Sequence, residues 1–125
     1  MPGHAFRAAV ESRDFDAAVE LLADDVVFRS PAVFKPYEGK ETVGTILRTV
    51  FGVFEDFRYT DALEGDGVHA LIFEARVGDR QVQGMDLLRA GEDGRIAEFT
   101  VMVRPASGLM ALGARMGPAL EAAGV

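Results

Sequence analysis

Hydrophobic residues in the first part of the chain recur at intervals of three and four, which is the spacing of amphipathic helices. Residues 1–23 predict two short helices, with Asp14 as the N-cap of the second and Asp24-Asp25 at its end. A longer third helix is predicted over about residues 40–54, because its apolar side chains form one continuous stripe. That stripe comprises Val43, Ile46, Leu47, Val50 and Phe54.

Farther along, the pattern changes to the alternation typical of a half-buried antiparallel sheet. A short strand is predicted at residues 26–28, and four longer strands are predicted over about residues 56–63, 68–77, 80–90 and 95–104. Glycine and aspartate occupy the turns between the longer strands, where tight hairpins need a positive φ. Pro105 ends the last strand, and Ser107 is placed to cap a final helix that runs to about Met116.

Turn lengths set the predicted strand register. A two-residue turn at Gly78-Asp79 places Leu71 opposite Asp86 and Phe73 opposite Gly84. A four-residue turn after Ala90 sets Asp86 opposite Phe99. One face of the sheet is then apolar except for His69 and Asp86, and we expect it to pack on the helices. The apolar members of the opposite face are Ile72, Met85, Leu87 and Met102, which lie among charged and amide side chains.

Length and composition fit one α+β domain over residues 1–125, since helices come first and an antiparallel sheet follows. The formal charge of −7, without a basic cluster, makes nucleic acid and anionic membranes poor partners. The chain has no cysteine, so disulfides and thiolate chemistry are excluded. With neither a secretory signal pattern nor a membrane-spanning apolar run, we expect a cytoplasmic protein.

Asp86 is the most informative single residue, because a carboxylate on an apolar strand face must be paired, protonated or hydrated. Burial would raise its pKa and let it donate a hydrogen bond to a ligand. His69 is predicted to lie diagonally across from it, as a possible helper in catalysis. The alternative is an Asp86 satisfied by a backbone amide or a water molecule. No metal site or cofactor is expected, since His4 and His69 are far apart in sequence and His4 falls in a terminal segment.

The many aromatic residues predict either an ordinary core or the lining of an apolar pocket. We expect the lining to include Phe28, Ser30, Phe34, Leu47, Val50, Phe54, Phe73, Gly84, Leu88, Phe99 and Val101. Gly84 has no side chain and is therefore expected to leave space for a ligand beside Asp86. Apolar residues of the final helix, from Leu109 to Leu120, are placed to cap the pocket.

The order of these elements resembles the nuclear transport factor 2-like superfamily, which includes ketosteroid isomerase and the SnoaL-like polyketide cyclases. The likeness covers residues 4–105 and is carried by short stretches, among them Arg13-Asp14-Phe15-Asp16, Tyr37-Glu38-Gly39-Lys40 and Gly84-Met85-Asp86. It implies a cone-shaped α+β barrel, in which three N-terminal helices close a strongly curved, mostly antiparallel sheet. It also implies a pocket inside the cone and a homodimer interface on the outer face of the sheet.

Matching the chain to ketosteroid isomerase keeps one of three catalytic residues. The resemblance places the family's oxyanion-hole aspartic acid on Asp86, its oxyanion-hole tyrosine on Phe6 and its base on Ser30. Phenylalanine donates no hydrogen bond, and serine is not a general base near neutral pH. The two departures argue against steroid isomerisation by the family's route.

Two functional hypotheses therefore remain, and the alternative to both is a purely structural module with a filled core. The first is a SnoaL-like protein that binds an apolar or partly oxygenated small molecule, with Asp86 as its polar anchor. The second is an isomerase, polyketide-type cyclase or hydrolase of the same fold, with Asp86 and His69 in acid–base catalysis. A cavity separates both from the structural module, and a second polar group converging on Asp86 favours the enzyme.

Overall fold

The computed structural model describes residues 2–125 and contains helices packed on a six-stranded sheet. The helices are α1 (Pro2–Glu11), α2 (Phe15–Glu20), α3 (Lys40–Val53) and α4 (Ala106–Ala122). The strands are β1 (Leu22–Arg29), β2 (Tyr37–Glu38), β3 (Glu55–Gly65), β4 (Val68–Val77), β5 (Arg80–Ala90) and β6 (Ile96–Arg104). No helix in this part of the chain combines the length and apolar character that a membrane crossing needs.

The sheet is open and mixed, with strand order β2-β1-β6-β5-β4-β3. Strands β3 to β6 form an antiparallel meander, and β1 joins β6 in parallel. Buried residues alternate with partly exposed residues all along β4, as expected for a sheet that is covered on one face only. This architecture confirms the predicted α+β cone, in which helices cover the concave face of the sheet.

Helix α3 lies where the stripe of apolar residues predicts. Val43, Ile46 and Leu47 are buried in the core that α3 shares with the sheet. Its first turn follows Gly39, whose φ of 96° is a conformation that favours glycine. Asp14 caps α2 as predicted, because its Oδ1 accepts a hydrogen bond from the amide of Ala17 at 3.1 Å.

Two element boundaries differ from prediction. Asp24-Asp25 does not end a helix; both residues are exposed within β1, which starts at Leu22 and pairs irregularly with β6. Helix α4 runs beyond Met116 through Pro118, and Ser107 makes no capping bond at its start. The helix tolerates Pro118 because Ala114, whose carbonyl group loses its amide partner, is exposed to water.

The register of the meander is confirmed in one hairpin and corrected in the next. Leu71 pairs with Asp86 and Phe73 with Gly84, as the turn at Gly78-Asp79 predicts. Asp86 pairs with Val101 rather than Phe99, a shift of two positions: Ala90 pairs with Ile96 instead of Arg95, and a bulge between Arg89 and Ala90 adds one more position. A shift of two keeps each side chain on its predicted face. The prediction of which face is buried is therefore correct for β6, except next to the bulge, where the buried residue is Ile96.

Candidate functional site

A partly enclosed cavity of about 250 Å³ lies between the sheet, α3 and α4. The floor comes from the inner face of the sheet, and α3 contributes the same stripe that packs on the core. The loop after β1 and the apolar side of α4 complete the wall, the latter through Leu109, Leu112, Met116 and Leu120. The capping role predicted for this segment is therefore matched by its position.

Most of the predicted lining residues reach this cavity. Those that line it are Phe28, Ser30, Leu47, Val50, Phe54, Phe73, Asp86, Phe99 and Val101. Ile46, a member of the stripe predicted to face the sheet, also lines the cavity. Sequence reasoning missed further lining residues, among them Tyr37, Phe51 and Phe57. Phe51 lies one helical turn after Leu47 on α3, and Phe57 alternates with Tyr59 on β3, so the pattern contained a signal for both.

Three predicted lining residues lie elsewhere. Phe34 projects fully into solvent, because the loop that carries it turns only residues 30–33 toward the cavity. Leu88 is completely buried in the core opposite His69. Gly84 offers no space: a Cβ atom built there would lie 2.2 Å from Cζ of Phe73 and 2.8 Å from the carbonyl oxygen of Met102. The ring of Phe73 fills the position that the missing side chain leaves.

Asp86 lies at the wall of the cavity with a tyrosine as its partner. Tyr59 donates a hydrogen bond from its hydroxyl group to Oδ2 of Asp86 at 3.1 Å, and both residues are buried. Burial raises the pKa of Asp86 from 3.8 to about 7, and the hydrogen bond from Tyr59 opposes part of that rise. Burial, together with the charge of Asp86, raises the pKa of Tyr59 well above 10, so its hydroxyl group keeps its proton.

Tyr59 is the main site residue that the sequence analysis did not assign. Its strand pairs Tyr59 with Phe73, and Phe73 pairs in turn with Gly84, two residues from Asp86. The hydroxyl group therefore reaches diagonally across β4. The alternation of Phe57 and Tyr59 was a signal for their common face, but bulges on both sides of Tyr59 interrupt the register with β4.

His69 does not take the helper position predicted for it. It is buried as expected on the inner face, yet its ring contacts His4, and it does not line the cavity. Burial lowers the pKa of His69 below 6.5, and the nearby His4 acts in the same direction. The polar group that converges on Asp86 is thus a tyrosine on β3 rather than a histidine on β4.

Two hydroxyl groups supply the remaining polarity. Among residues 2–125, Ser30, Tyr37 and Asp86 are the only polar side chains in the cavity lining. Oγ of Ser30 accepts a hydrogen bond from the amide of Ala32 at 3.0 Å, which leaves its own hydrogen free to be donated. Phe6, onto which the resemblance to ketosteroid isomerase places the family's oxyanion-hole tyrosine, is fully buried and packs edge-on against Phe99.

Comparison with known proteins identifies the family. The model of the SnoaL-like domain matches residues 4–99, more than half of the chain. The chain belongs to the SnoaL-like family. A solved structure described as a steroid delta-isomerase from Pseudomonas aeruginosa is 48% identical to this SnoaL-like protein, with a TM-score of 0.88. That alignment covers 93% of this chain and 86% of the other.

Two further structures support the fold of this SnoaL-like protein. A protein from Silicibacter pomeroyi with a cystatin-like fold is 32% identical, with a TM-score of 0.87 and coverage of 92% and 82% of the two chains. A SnoaL-like protein from Burkholderia thailandensis is 20% identical with a TM-score of 0.67, covers 82% and 92%, and supports the fold alone. No curated protein matches the chain. The family is one with a ligand-binding or isomerase-type fold.

Proposed function

We propose that this SnoaL-like protein binds a small, largely apolar molecule that carries an oxygen atom, and that Asp86 forms a hydrogen bond with that oxygen. The observation that carries the proposal is a buried carboxyl group at the wall of a largely apolar cavity. Burying such a group costs free energy. Carboxyl groups perturbed in this way cluster at functional sites.

The neutral form of Asp86 supplies the recognition. With a pKa of about 7, the carboxyl group is about half protonated at neutral pH and mostly protonated below it. A protonated carboxyl group donates one hydrogen bond and still accepts others. Oδ2 can therefore accept from Tyr59 while the carboxyl hydrogen is donated to the ligand. A ketone or ether oxygen fits this role, because it accepts a hydrogen bond and carries no charge to bury.

The size of the cavity sets the size of the ligand. Its volume of about 250 Å³ exceeds the roughly 150 Å³ of an engineered apolar cavity that binds benzene. A ligand of about two fused rings is therefore the expected occupant. Aromatic side chains such as Phe54, Phe73 and Phe99 contribute apolar contact surface for such a ligand.

The test compares a bicyclic ketone with the hydrocarbon of the same skeleton. Each compound is titrated against the protein loaded with a hydrophobic fluorescent dye, and displacement of the dye reports binding. We expect the ketone to bind about 2- to 10-fold more tightly than the hydrocarbon, which is the preference that one net hydrogen bond provides.

Two variants show whether Asp86 causes that preference. Asp86→Leu replaces the carboxyl group with an apolar side chain that forms no hydrogen bond, and it should bind the two compounds equally. Asp79→Asn removes an exposed carboxylate at the hairpin between β4 and β5 and should keep the preference. An unchanged preference in Asp86→Leu, or no uptake of dye by the unaltered protein, would contradict the proposal.

Proton transfer is the second candidate function. The pKa of Asp86 near 7 favours it, because a general base works best when its pKa lies near the ambient pH. With a β,γ-unsaturated ketone, the carboxylate removes a proton from the α-carbon, between the carbonyl group and the double bond, and the C–H electron pair moves to the ketone oxygen as a dienolate. The protonated carboxyl group then returns the proton to the γ-carbon as the carbonyl bond re-forms, which gives the conjugated enone and restores the carboxylate. Ser30 and Tyr37 carry the hydroxyl groups available to the enolate oxygen.

The 48% identical protein described as a steroid delta-isomerase also supports this candidate. The assay follows the ultraviolet absorbance of the enone formed from a β,γ-unsaturated cyclic ketone, with a steroid and a bicyclic ketone as substrates. Turnover should rise with pH through about 7 as Asp86 ionises, and Asp86→Asn should abolish it while Asp79→Asn should not. Binding without turnover would leave the first function alone.

A further inference from the structure

The two histidines of the chain, far apart in sequence, meet at one corner of the fold. His4 lies in the first turn of α1, and His69 is the second residue of β4, opposite Glu64 on β3. The two imidazole ring centroids are 4.8 Å apart. Nε2 of His4 lies 3.1 Å from Oε2 of Glu64, so one carboxylate oxygen faces both rings.

The Nδ1 atom of His69 is buried without a hydrogen-bond partner among residues 2–125. His69 is 1% exposed, and an unsatisfied polar atom at that depth costs free energy unless something binds it. The nearest carboxylate oxygen, Oε2 of Glu64, is 4.0 Å away, which is too long for a hydrogen bond. Two ligands of one tetrahedral zinc ion, each bound at about 2.0–2.2 Å, lie about 3.3–3.6 Å apart, so these two atoms are within a few tenths of an ångström of that distance.

We propose that Nε2 of His4, Oε2 of Glu64 and Nδ1 of His69 form a binding site for a divalent transition-metal ion such as zinc. The three atoms all lie within 4.8 Å of one another. Two imidazole nitrogens with one carboxylate oxygen form a ligand set that zinc prefers, and the exposed side chains of His4 and Glu64 have room to rotate toward the ion.

The local backbone is built for this approach. Gly3 lies against the ring of His69, and a Cβ atom there would come within 1.9 Å of Nδ1. The absence of that atom lets α1 bring His4 beside His69. A bound ion would link α1 to the β3–β4 hairpin and would leave its fourth position open to water, because the side chains of His4 and Glu64 are 66% and 49% exposed.

This site is separate from the proposed ligand cavity, since none of its three residues lines that cavity. It also revises the expectation that the chain has no metal site, which rested on the distance between the histidines along the sequence. In the folded chain the two histidines are neighbours, because the start of α1 lies over the end of the β3–β4 hairpin.

The test titrates Co²⁺ into protein without an affinity tag and records the visible absorption of tetrahedrally coordinated cobalt, with Zn²⁺ calorimetry in parallel. We expect one ion per chain and a rise in melting temperature with Zn²⁺, because the ion binds the folded state. His4→Ala and Glu64→Gln each remove an exposed ligand, so both variants should fold and bind at least about ten-fold more weakly.

Glu92→Gln, which removes an exposed carboxylate in the turn before β6, is the matched control and should bind like the unaltered protein. No saturable binding would overturn the proposal. Binding that is equally strong in His4→Ala would overturn it as well, because the metal would then lie at another site.

Discussion

The hydroxyl group of Tyr59 on β3 donates a hydrogen bond to Oδ2 of Asp86 on β5, across the intervening strand β4. The contact fixes one carboxyl oxygen of Asp86 and leaves the other for a ligand. It also places the two most strongly perturbed acidic groups of the described chain side by side. Burial is the main cause of both pKa shifts, and the contact lowers the pKa of Asp86 and raises that of Tyr59.

Removing this contact should raise the pKa of Asp86 above about 7, because the bond from Tyr59 favours the ionised form. Tyr59→Phe keeps the ring and deletes only the hydroxyl group. Carbon-detected NMR titration of the Asp86 carboxyl group measures the pKa directly. The lost hydrogen bond should also cost about 0.5–1.5 kcal/mol of unfolding free energy. An unchanged or lower pKa would show that the contact does not control Asp86.

Asp86 should also make stability depend on pH. Its folded pKa of about 7 lies above its ordinary value of 3.8, so the folded state holds a proton that the unfolded state releases. This contribution is complete below about pH 4 and is lost as the pH rises through about 7, in total roughly 4 kcal/mol.

Urea unfolding of the unaltered protein and of Asp86→Asn isolates that contribution, because asparagine does not titrate. Relative to the variant, the protein with Asp86 should lose unfolding free energy between about pH 4 and 8. Parallel curves for the two proteins would mean that Asp86 is hydrated and has an ordinary pKa.

Gly84 should not tolerate a side chain. Its Cβ position is occupied by the ring of Phe73 and lies close to the carbonyl oxygen of Met102, so Gly84→Ala should cost about 1–3 kcal/mol of stability. Gly52→Ala is the matched control, because Gly52 is an exposed residue of α3 and nothing from the rest of the described chain lies near its Cβ position; alanine there should stabilise the protein by about 0.5–1 kcal/mol. Thermal melts of both variants give the comparison, and a neutral Gly84→Ala would show that space exists there after all.

The outer face of the sheet carries a prediction about assembly. Met102 is 51% exposed there and lies opposite Met85, with Ile72 on the neighbouring strand. An apolar centre with a polar rim is typical of interfaces, and we propose a homodimer through this face. Sedimentation should give about twice 13.5 kDa. Met102→Glu should yield monomers, whereas Met110→Glu, at an exposed position of α4, should not; a monomeric unaltered protein would refute the interface.

The inner face of the sheet could be predicted from sequence because alternation and turn length are local properties. A two-residue turn determined the pairing of Asp86 with Leu71, and burial of Asp86 followed from parity alone. The bulge beside Ala90 is not encoded in any turn motif and shifted the next strand. Because the total shift is two residues, each side chain stays on the same face of the sheet, which is why the predicted positions of Val101 and Phe99 on the cavity side are correct.

The partners of the two buried polar residues could not be predicted in the same way. Tyr59 reaches Asp86 across a strand, after bulges that the pattern of residues does not reveal. His69 meets His4 only because α1 folds back over the hairpin. The sequence predicts empty space at Gly84 because glycine has no side chain, but it does not reveal that the neighbouring ring of Phe73 fills that space.

The central claim is that neutral Asp86 donates a hydrogen bond to the oxygen of a ligand in the cavity. The most direct test is the affinity of a bicyclic ketone measured from pH 5 to pH 9, with Asp86→Asn as the non-titrating reference. The account predicts tight binding at the acidic end and a loss of affinity as Asp86 ionises through about pH 7, with no such change in the variant. An affinity that stays constant across this range in the unaltered protein would contradict it.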